Sequence, residues 1–135
     1  MQYVKERLKT DLKYNLRMKI SKAINESLRY GKRIKSNKNG RHWEDLVGYK
    51  LKDLIIRLVS TMPKGYNWED VKKGELHIDH IIPISAFNFT QPEHIDFKRC
   101  WALENLRLLP KKDNLIKNAK LIKIQSLELR RVSLK

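Results

Sequence analysis

A single cysteine, Cys100, is present in 135 residues. An intrachain disulfide framework is therefore excluded, and one thiol with four scattered histidines does not supply a Cys-based zinc site. No apolar run approaches the roughly 18 residues of a membrane span, and the N-terminus carries charge where a secretory leader needs its apolar stretch. These absences lead to the expectation of a cytoplasmic protein with no membrane partner. There is no internal repeat, no low-complexity segment and no convincing interdomain linker, and the length suits one ordinary domain with a modest core. Acidic side chains are also scarce: 15 Asp and Glu stand against 30 Lys and Arg, a formal net charge of +15. A field of that size repels itself unless a polyanion or salt is present, which points to nucleic acid as the partner.

The excess is concentrated at the ends. Residues 1 to 41 hold 13 basic and 3 acidic side chains, residues 42 to 107 hold 9 and 10, and residues 108 to 135 hold 8 and 2. This partition suits Lys and Arg displacing counterions from a phosphate backbone. Competing uses of such charge are a ribosome-associated protein and a basic amphipathic helix on lipid, but the latter wants Trp or Phe on its apolar face, and residues 1 to 30 contain neither. Arg29, Lys32, Arg33 and Lys35 are accordingly candidate DNA contacts. The expected organisation is a basic helical DNA-contacting region over 1–41, a module with a helical lead-in over 42–120, and a basic tail over 121–135 whose structure the sequence leaves undecided.

Apolar residues recur every fourth position at Val4, Leu8, Leu12, Leu16, Ile20, Ile24 and Leu28, with no Gly or Pro before Gly31. This predicts a helix, although at 100° per residue the stripe drifts by about 240°, so the helix must curve, break or wrap around its neighbours. Residues 31 to 41, with a glycine near each end and a run of basic side chains, read as a mobile loop. Short helices are expected around 43–47 and over 50–61, the latter stopped by Pro63. Asn67 resembles an N-cap ahead of Trp68-Glu69-Asp70. Trp43, Trp68 and Trp101 read as core anchors, Cys100 as buried, and His42 and His94 as surface residues.

Residues 76 to 83 run Leu-His-Ile-Asp-His-Ile-Ile-Pro, a short strand expected to end in a turn. Asp79 and His80 are neighbours and point to opposite strand faces, so the backbone must bend near His80 if both serve one centre. A helix is expected from Gln91 to about Cys100, a second strand over 103–110, and a helix over 111–120.

A strand ending in Asp-His, a loop, a strand introduced by Asn105 and a helix carrying Asn114 resemble the HNH nucleases, the ββα-metal fold, in a small phage or bacterial form. The likeness is closest over residues 76 to 120. It extends loosely upstream through Gly48-Tyr49, Gly65-Tyr66 and Asn67-Trp68-Glu69. It implies an α+β protein with a ββα-metal nuclease core and a mostly helical basic N-terminal region. The implied activity is hydrolysis of DNA phosphodiester bonds with one divalent ion, Mg²⁺ or Mn²⁺. By the same resemblance His80 is the general base, Asp79 and Asn114 are the metal ligands, and Asn105 fixes the His80 loop and ring.

The chemistry of these residue types agrees. An imidazole near pKa 6.5 is neutral at working pH and can accept a proton from water. A carboxylate and an amide oxygen are hard ligands that leave room for water and phosphate oxygens. Arg107, Lys111, Lys112 and Lys117 surround the site in sequence and are candidate phosphate contacts. His77 shares the strand face of Asp79, and phosphate contact, support of the metal ligands and a plain surface position are all open to it.

The sequence departs from the HNH pattern at three places. Pro110 and Asp113 stand where many relatives carry zinc-binding cysteines, so no structural zinc is expected. Asn114 stands where the family name has a third histidine, and Asn118 replaces a frequent glycine. A monomer or weak homodimer would nick or, as a dimer, cut both strands of duplex DNA. Two other readings stay open: a non-catalytic DNA-binding protein on a degenerate HNH scaffold, and an RNA-directed nuclease.

Overall fold

The computed structural model describes residues 11–29 and 42–133. The first members of the fourfold apolar stripe, Val4 and Leu8, and the basic loop with Lys32, Arg33 and Lys35 lie outside the described residues. Helix α1, Leu12–Arg29, buries Leu16, Ile20, Ile24 and Leu28. Across those four positions the stripe drifts by only about 120°, which one helix face can cover.

Helix α2, Trp43–Val47, buries Trp43 and Leu46 and ends at Gly48, whose φ of 80° is a left-handed conformation that suits glycine. Helix α3, Leu51–Ser60, buries Leu51, Leu54 and Leu58. Helix α4, Trp68–Lys73, is capped reciprocally. The Asn67 side chain accepts from the Glu69 amide at 2.9 Å, and the Asp70 carboxylate accepts from the Asn67 amide at 2.8 Å.

Strands β1, Leu76–His80, and β2, Leu106–Pro110, form one antiparallel two-stranded sheet, with Leu76 opposite Pro110, Asp79 opposite Arg107 and His80 opposite Leu106. Helix α5, Ile95–Cys100, lies in the connection between them, and helix α6, Lys111–Ser133, follows β2 directly. Helix α3 covers the outer edge of β2. Arg57 Nε donates to the Leu106 carbonyl at 2.9 Å, and Thr61 Oγ1 accepts from the Leu108 amide at 3.0 Å, which blunts an edge open to foreign strands.

One hydrophobic cluster joins all of this, from Leu16, Ile24 and Leu28 on α1 through Trp43 and Leu54 to Phe97, Trp101, Leu106 and Leu108. The basic α1 is thus part of the same core as the sheet. The architecture is α+β. Among the described residues no helix is long and apolar enough to cross a membrane.

The element boundaries have local causes; β1 ends at the Asp-His pair as expected, and the later ones differ. β1 ends at His80 because the next amides, of Ile81 and Ile82, turn to the backbone and side-chain oxygens of Asn105. Helix α5 starts at Ile95, since His94 is held in a turn: its amide bonds to the Gln91 carbonyl, and its ring accepts from the Thr90 amide. Residues Leu103–Asn105 form a single 3₁₀ turn before the second strand. The tail left undecided continues as α6 to Ser133, which follows from the lack of any Gly or Pro after Pro110.

Candidate active site

On β1, His77 and Asp79 face one side of the sheet and Ile78 and His80 the other. The Lys111 amide bonds to the Glu75 carbonyl at 2.8 Å, so α6 begins at the open end of the hairpin and lays its first turns beside β1. Asn114, Lys117, Asn118 and Leu121 recur at helical spacing on one side of α6. These four, Asp79 and His80 from the strand end, and Ala23, Glu26 and Ser27 of α1 line one cavity of about 640 Å³. Ile78 and His80, on the opposite strand face, line it as well.

Asp79 is buried and carries two cations. Arg107, its cross-strand partner, donates from Nε to Oδ2 at 3.0 Å. Lys117 Nζ stands 3.0 Å from each carboxylate oxygen and also donates to the His80 carbonyl. Of the four basic residues expected around the site, these two reach it. Lys111 and Lys112 are exposed at the start of α6, and Lys112 is turned about 200° from Asn114. Arg29 is exposed at the end of α1.

Asn105 is buried and anchors the loop that follows His80. Its Oδ1 accepts from the Ile82 amide at 2.8 Å, while Nδ2 donates to the Ile82 carbonyl at 3.1 Å and to the Cys100 carbonyl at 2.9 Å. Its own carbonyl accepts from the Ile81 amide at 2.8 Å.

The His80 ring meets Trp101 edge-on, with centroids 4.4 Å apart, and its Nε2 is buried with no hydrogen-bond partner among the described residues. Burial pushes its pKa down to about 4, against the raising influence of the Asp79 charge, and Lys117 adds to the lowering. The ring is therefore neutral at pH 7. Trp101 is itself pinned, because its Nε1 donates to Ser27 Oγ on α1 at 3.1 Å and its carbonyl accepts from the Tyr49 hydroxyl at 2.7 Å.

Asn114 pairs with His77, with Nδ2 3.2 Å from His77 Nδ1. If the amide donates, its Oδ1 is the atom left for another partner, the arrangement a second residue uses to orient a ligand. Among the described residues no group of three or more His, Cys, Asp and Glu can hold a metal ion. The side-chain oxygens lining the cavity include the carboxylates of Asp79 and Glu26, the amides of Asn114 and Asn118 and the hydroxyls of Ser27 and Ser85. Such hard oxygen donors suit Mg²⁺ or Mn²⁺, which retain waters and take oxygens from the substrate.

Sequence reasoning missed the wall that α1 contributes, and it read Asn118 only as a departure. Asn118 lies four residues beyond Asn114 on a segment expected to be helical, so the shared face was available from spacing. The meeting of Ser27 with Trp101 had no such signal.

No family model matches the chain, and no solved structure matches it. The chain is 33% identical over 121 residues to an uncharacterized protein of Acanthamoeba polyphaga mimivirus, an alignment covering 87% of this chain and 48% of that protein. The chain thus spans about half the length of that relative.

Proposed function

We propose that the chain is a metal-dependent endonuclease of HNH type that hydrolyses phosphodiester bonds in duplex DNA, with β1, β2 and the start of α6 as its ββα core. The observation that carries this reading is the convergence of Asp79, His80, Asn114 and Lys117 on one cavity, with the loop after His80 fixed by Asn105.

In this reading His80 is the base. With Nε2 enclosed, Nδ1 is the nitrogen left to take a proton from water, whose oxygen then bonds to phosphorus as the bond to the 3′ oxygen breaks. Desolvation keeps the ring unprotonated and the Asp79 charge steadies it once it gains the proton. Asp79 and Asn114 would hold one Mg²⁺ or Mn²⁺, which when bound supplies charge neutralisation at the phosphate and the departing oxygen. Arg107 fixes the Asp79 carboxylate from the neighbouring strand. The surplus of 30 Lys and Arg over 15 Asp and Glu supplies the sequence-independent attraction to the backbone.

The test is relaxation of supercoiled plasmid with Mg²⁺ or Mn²⁺, with EDTA, and with His80→Ala. Metal-dependent nicking lost in the variant supports the reading, and cutting that persists in His80→Ala removes it. A second reading, a DNA-binding protein without activity, draws on the two cations already paired with Asp79. Duplex retention with no cutting under either metal favours that alternative.

A further inference from the structure

We propose that Lys117 couples ion loading to the arrival of a DNA phosphate: its ammonium and a divalent cation compete for the Asp79 carboxylate, and a phosphate in the cavity draws the ammonium away. The inference rests on the nuclease reading above and adds a control to that same site.

An ammonium has three donors and no acceptor. Those of Lys117 are spent on the two Asp79 oxygens, each 3.0 Å away, and on the His80 carbonyl. Arg107 holds only Oδ2, through Nε at 3.0 Å, and its cross-strand register keeps it there. A divalent ion takes a carboxylate oxygen at about 2.1 Å. It cannot do so while an ammonium bridges both oxygens, because the two positive charges would lie a few ångströms apart. Of the two cations on Asp79, the one on the flexible four-carbon stem is the one that yields.

Lys117 also lines the cavity beside Asn114 and Asn118, so the space that admits a phosphate is where its ammonium can go. Phosphate then gains a charge-assisted hydrogen bond while Asp79 is released to the ion. Linkage makes the effect reciprocal: DNA tightens ion binding by the factor with which the ion tightens DNA binding.

The experiment measures Mn²⁺ binding by electron paramagnetic resonance of free Mn²⁺ on the full chain. A His80→Ala background keeps a short mixed-sequence duplex intact. Without DNA, Lys117→Met should bind Mn²⁺ about tenfold more tightly than its parent, with Lys117→Gln moving the same way. Lys117→Arg should stay near the parent, as should Lys112→Met, which controls for general charge. The duplex should tighten Mn²⁺ binding by the parent well beyond its effect on Lys117→Met, where only the added phosphate oxygens contribute.

Unchanged or weaker binding in both neutral variants overturns the proposal, as does an equal effect of duplex on parent and variant. Asp79→Asn separates this from failure of the nuclease reading. If Mn²⁺ binding is lost with Asp79→Asn while the Lys117 variants behave like the parent, the ion site stands and the coupling falls. If binding survives Asp79→Asn, the ion site falls and the coupling with it.

Discussion

Asn105 and Ile82 are joined by two hydrogen bonds: the side-chain oxygen accepts from the Ile82 amide at 2.8 Å and the side-chain nitrogen donates to the Ile82 carbonyl at 3.1 Å. One amide thus closes the turn that ends β1 and sets where His80 leaves the strand. The same nitrogen holds the Cys100 carbonyl at 2.9 Å, one residue before the indole that packs against the His80 ring.

Asn105→Ala leaves these backbone groups without their partner and should cost about 2–3 kcal/mol in urea unfolding. Asn105→Asp should be at least as costly, since it keeps an acceptor for the Ile82 amide but turns an oxygen toward two carbonyls. Plasmid nicking by the folded fraction should fall in both. Stability equal to the parent in Asn105→Asp would show that the two donated bonds contribute nothing.

The buried His80 ring makes stability depend on pH. Its pKa is about 4 in the folded protein, against about 6.5 in an unfolded chain. Between those values the unfolded state binds a proton that the native state does not, so stability rises with pH through this window. The contribution is intact above about pH 6.5, declines as pH falls and is gone below about pH 4, a span of about 3 kcal/mol. Urea titrations at pH 7, 5.5 and 4 should show this loss in the parent and a smaller one in His80→Phe. Under the nuclease reading the cleavage rate should hold from neutrality to about pH 5 and drop as pH nears 4. A drop centred near 6.5 would place the ring in water.

The strand ending at His80 and the helix carrying Asn114 were legible because their signals are local: β-branched residues before a proline, and periodicity without Gly or Pro. The burial of Leu16, Ile20, Ile24 and Leu28 followed from spacing alone. What stayed hidden depends on register and on contacts between distant segments. Arg107 and Asp79 lie 28 residues apart, and the sequence placed both near the site without showing that one strand partner neutralises the other. Lys117, read as a phosphate contact, sits on Asp79 in the structure, a contact set by how α6 leaves β2. Helix α1 read as a basic grip, and its wall of the cavity emerges only when the core closes around Trp101.

The outer edge of the sheet gives a prediction independent of chemistry. Thr61 Oγ1 accepts from the Leu108 amide at 3.0 Å and donates to the Leu58 carbonyl at 3.0 Å. Thr61→Val keeps the shape and strands the Leu108 N–H, which should cost about 1–2 kcal/mol. Hydrogen exchange at the Leu108 amide should accelerate by more than global destabilisation explains. Equal protection in both proteins would show that this edge is not closed by the threonine.

The link between α1 and the site rests on one buried contact, Trp101 Nε1 to Ser27 Oγ at 3.1 Å, with the serine hydroxyl passing on to the Ile24 carbonyl at 2.7 Å. Ser27→Ala leaves the indole N–H without its acceptor in a closed interior and should cost about 1–2 kcal/mol. Trp101→Phe removes the donor, but it also shrinks the ring against His80 and opens a void, so it should cost more. A double-mutant cycle separates the two effects: the serine change should cost less by about 1 kcal/mol once the indole N–H is gone. The near-ultraviolet circular dichroism of Ser27→Ala should change as the indole loses its fixed orientation. Strict additivity in the cycle would mean that α1 holds Trp101 by packing alone, with the hydroxyl contributing nothing to where the His80 ring lies.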